Sequence, residues 1–198
     1  DGTAKVCDVT TGREVLTLAG QPDFAMIGVA FSPDNTRIAT GSADGTAQVW
    51  DAVTGKELLI LKGHSGWVVS VVFSPDCTRL ATASFDSTAK VWDATTGQEL
   101  FTLTGHTDAL RYAAFSLDGL RLVTASFDGK AKVWDATTGK ELFSLIGHSG
   151  SVMSAVFSPN GKQIATVSVD GTAKIWDASI GAEQLTLYGH TGGVTSVA

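Results

Sequence analysis

Apolar and polar residues follow an order that predicts four short strands, and this order repeats along the chain. Val68–Phe73 is almost continuously apolar, as expected for a strand that is covered on both faces. Arg79–Ser84 and residues 89–92 predict a second and a third strand. Glu99–Leu103 alternates between apolar and polar residues, which is typical of a half-exposed outer strand. Helical periodicity is absent throughout, so we predict an all-β chain.

Two dipeptides recur in register with this order. A Trp-Asp pair returns every 42 residues, and a Gly-His pair follows it so that each His lies 14 residues after a Trp. The Trp-Asp pairs begin at Trp50, Trp92, Trp134 and Trp176, and the Gly-His pairs end at His64, His106, His148 and His190. A fixed period of about 40–45 residues with these dipeptides marks the four-stranded blade of a β-propeller. The sequence therefore predicts a propeller array over residues 1–198.

The repeat divides the chain into four complete blades with a partial blade at each end. The predicted boundaries are a partial blade at 1–20, blades at 21–62, 63–104, 105–146 and 147–188, and the start of a further blade at 189–198. The stretch that would join the two ends corresponds to residues 157–169 and holds one second strand. Propellers normally remove open sheet edges by closing the ring. Three arrangements stay open: a piece of a longer propeller, two copies joined head to tail, or a gapped ring of five blades.

Charge and cysteine usage narrow the class of protein. Fourteen Lys and Arg residues against 20 Asp and Glu residues give a net charge of −6, which opposes attraction to nucleic acid or to an anionic membrane. No apolar run approaches the ~18 residues of a membrane span. Cys7 and Cys77 occupy unrelated positions in the repeat, so we expect reduced thiols and a cytoplasmic location rather than a disulfide framework.

Each repeat contains the residue types of a hydrolase triad, for example His64, Ser84 and Asp86. A hydrolase needs an exposed Ser beside an oxyanion hole. The alternative is a buried structural network in which Trp92 donates to Ser84, Ser84 bonds to His64, and His64 bonds to Asp86, so that every polar group is paired. We favour the structural network, because an active site in every blade would be unusual for an enzyme. The predicted tetrads are His64, Ser84, Asp86 and Trp92; His106, Ser126, Asp128 and Trp134; and His148, Ser168, Asp170 and Trp176.

Metal and cofactor sites are not indicated. The four His residues lie at equivalent points of successive blades, so they cannot converge on one ion, and none has a Cys or a second His at ligand spacing. The glycines are turn residues at the repeat period and form no phosphate-binding motif. We therefore predict no catalytic residue, no metal and no cofactor. A cryptic enzyme site on the central channel, or a site for a small ligand or glycan, is the alternative.

The four periods agree in length, turn residues and both dipeptides, and in this they resemble the WD40 repeat family over the whole chain. The text Asp-Ala-Thr-Thr-Gly-Lys-Glu-Leu at residues 135–142 is similar to that of repetitive bacterial members attached to signalling ATPases or kinases. The resemblance implies a propeller, most often of seven blades. It also implies a rigid, non-catalytic platform for protein partners within a larger regulatory or signalling protein.

Some positions near the Gly-His loops vary between repeats, and the resemblance places them on the face that binds partners. They are Trp67, Phe85, Arg111, Phe127 and Met153. Trp67 lies outside the Trp-Asp series, so the repeat itself does not require it. Trp, Arg and aromatic residues are enriched at binding hot spots. The alternative for Phe85 and Phe127 is that they only cover the strand ends. The expected partner is a protein or peptide, with a head-to-tail homodimer as a further possibility.

Overall fold

The computed structural model describes residues 2–198, which form strands, turns and loops. None of these residues lies in a helix, so the described chain has no helix that could cross a membrane. The strands are β1 Thr3–Cys7, β2 Glu14–Ala19, β3 Met26–Phe31, β4 Arg37–Ser42, β5 Thr46–Asp51, β6 Glu57–Lys62, β7 Val68–Phe73, β8 Arg79–Ser84, β9 Ala89–Asp93, β10 Glu99–Leu103, β11 Leu110–Phe115, β12 Arg121–Ser126, β13 Lys130–Asp135, β14 Glu141–Ile146, β15 Val152–Phe157, β16 Gln163–Ser168, β17 Ala173–Asp177 and β18 Glu183–Leu187.

The strands form one two-stranded sheet, β1–β2, followed by four four-stranded antiparallel sheets. Each four-stranded sheet pairs its strands in the order in which they occur in the sequence. The first strands of the large sheets, β3, β7, β11 and β15, contact one another in succession, so they lie innermost. The prediction of an all-β fold with four four-stranded blades is confirmed. Where each repeat begins and ends within its loops stays a prediction.

The hydrophobic core lies between successive sheets. At the first large interface, Val49 and Leu61 of one sheet pack against Val71, Phe73 and Trp92 of the next. The same kind of cluster recurs at the next two interfaces. Apolar burial contributes about 25 cal/mol per Å² removed from water, so the stacking of neighbouring sheets stabilises the fold.

An arginine ties each interface together at the ends of the first strands. Arg79 donates hydrogen bonds to the carbonyl oxygens of Ala136 at 2.5 Å and Gly119 at 2.8 Å, both in the next sheet. Its guanidinium also lies over the ring of Phe115, 5.5 Å from the centroid. Arg37 and Arg121 make the corresponding contacts at the neighbouring interfaces.

The first and last large sheets leave apolar side chains uncovered. Leu187 of the last sheet is 49 % exposed, whereas its counterpart Leu145 is 1 % exposed. Val29 of β3 is 64 % exposed, whereas its counterpart Val71 is 5 % exposed. At the arginine position the last sheet has Gln163, which bonds within its own sheet. These two surfaces are called the first and last open faces below. The outer part of the first open face is covered by the β1–β2 sheet, where Leu18 packs with Ile38 and Trp50.

Residues 189–198, where the repeat predicts the start of a further blade, follow the last strand, and this boundary stays a prediction. These residues contain no strand. Strand formation needs a partner ladder, and the described chain offers this segment only isolated bonds such as that from the Val194 amide to the Ser168 carbonyl, 2.9 Å long. The apolar sequence alone therefore does not produce a strand here.

Candidate functional site

The two ends of the sheets carry different chemistry, because antiparallel strands bring alternate loops to the same end. His64, in the loop before β7, contacts Asp86, in the turn after β8, so both lie at one end, called the histidine end. The turns after the first strands contain Pro33, Pro75 and Pro159, and these lie at the opposite end, called the proline end. The predicted partner-binding residues follow the loops of the histidine end.

A buried chain of hydrogen bonds crosses each of the last three sheets. The indole N–H of Trp92 donates to Thr82 Oγ1 at 2.9 Å, and this hydroxyl lies 2.7 Å from His64 Nε2. His64 Nδ1 lies 2.8 Å from the carboxylate of Asp86. A neutral imidazole that donates from Nδ1 and accepts at Nε2 satisfies every member of this chain. The other two chains are Trp134, Thr124, His106 and Asp128, and Trp176, Thr166, His148 and Asp170.

The hydroxyl in this chain is a threonine, and the prediction of serine was wrong. Ser84 instead donates to the carbonyl oxygen of Gly66 at 3.0 Å and accepts from the amide of Asp86 at 3.1 Å. Strand register explains the difference, since Trp92 pairs directly with Leu80. Thr82 is the next residue on the same face of β8 as Leu80. Ser84 lies four residues from Leu80, about 13 Å along the strand at ~3.3 Å per residue. The same correction applies to Ser126 and Ser168, which Thr124 and Thr166 replace.

Electrostatics favours a neutral histidine beside a charged aspartate. Burial lowers the pKa of His64 and of His106, and the attraction of the neighbouring carboxylate only partly offsets it. Burial alone would raise the pKa of Asp86, but hydrogen bonds from Thr88 and His64 outweigh it and hold the pKa below its ordinary value. The Thr82 hydroxyl is fully buried and already bonded on both sides. Such a hydroxyl is suited to holding the sheet together rather than to attacking a substrate.

The first large sheet has only part of this network. Trp50 donates to Thr40 Oγ1 at 2.9 Å, as in the other sheets. Gln21 stands at the histidine position and is exposed to solvent. Asp44 therefore bonds only the Thr46 hydroxyl and amide of its own turn. The N-terminal side of the array is held by fewer buried polar contacts.

Three aromatic rings, two of them exposed and the third partly buried, form a row at the histidine end. Trp67 stacks on Phe85, with the ring centroids 5.6 Å apart and the planes 14° from parallel. Phe85 in turn meets Phe127 of the next sheet at 5.7 Å. Trp67 is 51 % exposed, whereas the other four tryptophans are buried. We call Trp67, Phe85 and Phe127 the aromatic row. The structure therefore brings three of the five predicted partner-binding residues into one surface.

The other two predicted residues lie on the innermost strands. Arg111 is the extra residue of a β-bulge between Leu110 and Tyr112, and bulges re-aim the side chain of the extra residue. Met153 occupies the same bulge position in β15. Arg111 lines a groove of about 250 Å³ on the innermost strands, together with Val69 of β7. Its guanidinium has no hydrogen bond or ion pair with any other described residue.

A groove at the proline end was not predicted. It has a volume of about 530 Å³ and is lined by residues of all four large sheets, including Pro75, Phe115, Leu117 and Pro159. The exposed Leu117, at a turn position that is proline in the other repeats, was the signal in the sequence. No titratable side chain lines the groove and Ser158 is its one polar lining residue, so it has few of the polar groups that give a site specificity.

No group of three or more His, Cys, Asp or Glu side chains within residues 2–198 is arranged to hold a metal ion. Cys7 and Cys77 are free thiols, and Cys7 is exposed.

The family model described as "WD domain, G-beta repeat" matches residues 12–51, 55–93, 97–135 and 139–177. These four matches together cover well over half of the chain. No curated protein sequence matches the chain.

Proposed function

Because the chain belongs to the WD40 family, whose repeats generally serve as protein-interaction scaffolds, we propose that it binds a protein or peptide partner at the histidine end. The binding surface is the aromatic row with Arg111 and Met153. The role is that of a non-catalytic platform within a larger regulatory or signalling protein. The partner-binding surface and the buried networks then have separate tasks, since the networks hold the sheets and the row contacts the partner.

The exposure of Trp67 carries this proposal. A stacked indole that leaves half of its surface in water costs hydration free energy that nothing else in the described chain recovers. Tryptophan is the residue most often found at the centre of binding hot spots, and a ring already held by Phe85 loses little conformational entropy on binding. A role of Phe85 and Phe127 in covering the strand ends would not explain the exposed Trp67 that stacks on Phe85.

A peptide-display selection tests the proposal. The affinity of clones selected on the wild-type protein is then measured for the double variant Trp67→Ala/Arg111→Ala. We expect the double variant to bind about 30-fold more weakly or worse, which corresponds to the loss of a hot spot worth ~2 kcal/mol. The matched control is Arg13→Ala/Leu117→Ala at the proline end, which should leave binding unchanged. Both variants should keep the wild-type melting temperature, because Trp67, Arg111, Arg13 and Leu117 are at least partly exposed.

Clones that bind the first double variant as tightly as the wild type, and that lose binding to the control variant, would contradict the proposal. They would move the binding surface to the groove lined by Pro75 and Phe115.

We also propose that two copies associate head to tail through their open faces. Val29 on the first open face and Leu187 on the last open face are exposed, while their counterparts at the interfaces within the chain are buried. The two faces correspond to opposite sides of the interface repeated within the chain, and the β1–β2 sheet already covers the outer part of the first. The last open face of one copy can therefore join another copy around Val29 and its β1–β2 sheet. Apolar faces of this kind are uncommon on monomers unless a partner covers them.

A further inference from the structure

Arg111 is a partly buried cation without a counter-charge. The buried lysines of the sheets are paired, for example Lys90 with Glu99 at 2.9 Å and Lys132 with Glu141 at 2.8 Å. Arg79 bonds two carbonyl oxygens. Arg111 has no such partner among the described residues, and it is the sole charged residue in the lining of its groove. The groove therefore presents a guanidinium whose hydrogen-bonding capacity is unused.

The bulge position is apolar in the other three large sheets. Ile27, Val69 and Met153 stand where β11 has Arg111. The repeat thus needs no charge at this point. Val69 and Val71 line the same groove as Arg111, which is itself partly buried. In such surroundings the attraction of an opposite charge is stronger than in water.

The groove adjoins the aromatic row. The amide of Phe127 donates to the carbonyl oxygen of Ala109 at 2.9 Å, which places the start of β11 beside the row. Arg111 follows Ala109 by two residues, about 7 Å along an extended strand. One short peptide can therefore reach both the ring of Trp67 or Phe127 and the guanidinium of Arg111.

We propose that the partner segment carries a carboxylate side chain that pairs with Arg111, next to an aromatic or aliphatic side chain that packs on the aromatic row. A carboxylate fits because it matches a single guanidinium through two parallel N–H···O bonds. Phosphorylated motifs are usually held by clusters of arginines, and the groove has one. This inference rests on the proposed function and adds the chemistry of the partner.

The probes are synthetic peptides in which Phe and Glu are separated by one, two or three Gly residues within Gly-Ser flanks. Matched peptides replace Glu with Gln, Lys or phosphoserine. Binding to the ¹⁵N-labelled protein is followed at the indole resonance of Trp67, assigned with Trp67→Phe, and at the Nε resonance of Arg111. We expect the best Glu peptide to shift both resonances and to bind about tenfold more tightly than its Gln analogue, as for a charge-assisted hydrogen bond. The difference should shrink as salt is added.

The variant Arg111→Gln completes a double-mutant cycle with these peptides. It should lower affinity for the Glu peptide to that of the Gln peptide and leave affinity for the Gln peptide unchanged. Arg13→Gln, an exposed arginine at the proline end, is the matched control and should change neither. Unchanged indole resonances of the buried tryptophans will show that Arg111→Gln is folded.

Equal binding of the Glu and Gln peptides would overturn the carboxylate pairing. Preference for the Lys peptide or for the phosphoserine peptide would overturn it as well, as would a set of peptides that leaves the Trp67 resonance unmoved. The scaffold proposal fails separately, when display clones bind Trp67→Ala/Arg111→Ala normally. Clones that need Trp67 but no acidic residue would leave the platform in place and remove only the carboxylate.

Discussion

Replacing Thr124 with Val removes one hydroxyl from the middle of a buried hydrogen-bond chain at almost constant volume. The hydroxyl accepts from the Trp134 indole at 2.9 Å and lies 2.8 Å from His106 Nε2. Thr124→Val leaves both groups buried without a partner. Each such group costs ~1–3 kcal/mol, so the variant should lose about 2–6 kcal/mol of unfolding free energy. Valine keeps the β-branched shape, so strand preference contributes little to the change.

Thr124→Ser is the matched control, because it keeps the hydroxyl and loses one methyl group, worth about 1 kcal/mol. Urea denaturation followed by tryptophan fluorescence gives both values. The indole N–H resonance of Trp134 should move upfield in Thr124→Val and stay in place in Ser126→Ala. If Thr124→Val were no less stable than Thr124→Ser, or if Ser126→Ala alone moved the indole resonance, the assignment of the threonine to the network would be refuted.

Two further predictions concern acid and association. The pKa values of His64 and His106 are lowered in the folded protein, so below the ordinary value of 6.5 the unfolded chain binds more protons. The free energy of unfolding should be constant above pH ~6.5 and should fall as the pH drops from there towards the folded-state pKa of the two histidines. A melting temperature that rises on acidification through this window would contradict the neutral-histidine assignment. Light scattering should give about twice the chain mass of 20.5 kDa for the wild type and the single mass for Val29→Glu, whereas a wild-type monomer at every concentration would contradict the head-to-tail pairing.

Most of the fold follows from the repeat, because one 42-residue period contains the information for every sheet. A continuous apolar run such as Val68–Phe73 predicts an innermost strand, and the structure places β7 there. The absence of a strand after Leu187 could not be predicted in this way. A local pattern states which residues favour a strand, whereas strand formation depends on whether a neighbour supplies the ladder.

The candidate site was predicted less completely, for a geometric reason. The sequence pattern predicts His64 and Asp86 as members of the hydrogen-bond network. The choice between Thr82 and Ser84 as the hydroxyl depends on which residue lies opposite Trp92. That register is a property of the paired strands, which a list of residue types does not contain. The stacking of Trp67 on Phe85 likewise depends on the positions of two loops. The unpaired state of Arg111 could be found only by checking every neighbour in the fold.

The arginine contacts between sheets have a consequence for how such a chain changes over generations. Arg37, Arg79 and Arg121 each reach a carbonyl oxygen 40 residues ahead and another 57 residues ahead. Because these offsets are constant, a whole unit duplicated or deleted by recombination still finds all of its contacts on both sides. The genetic length of the array can then vary in steps of one unit without a new interface having to arise. Gln163 departs from this rule, so a unit added after it would join its neighbour without the arginine.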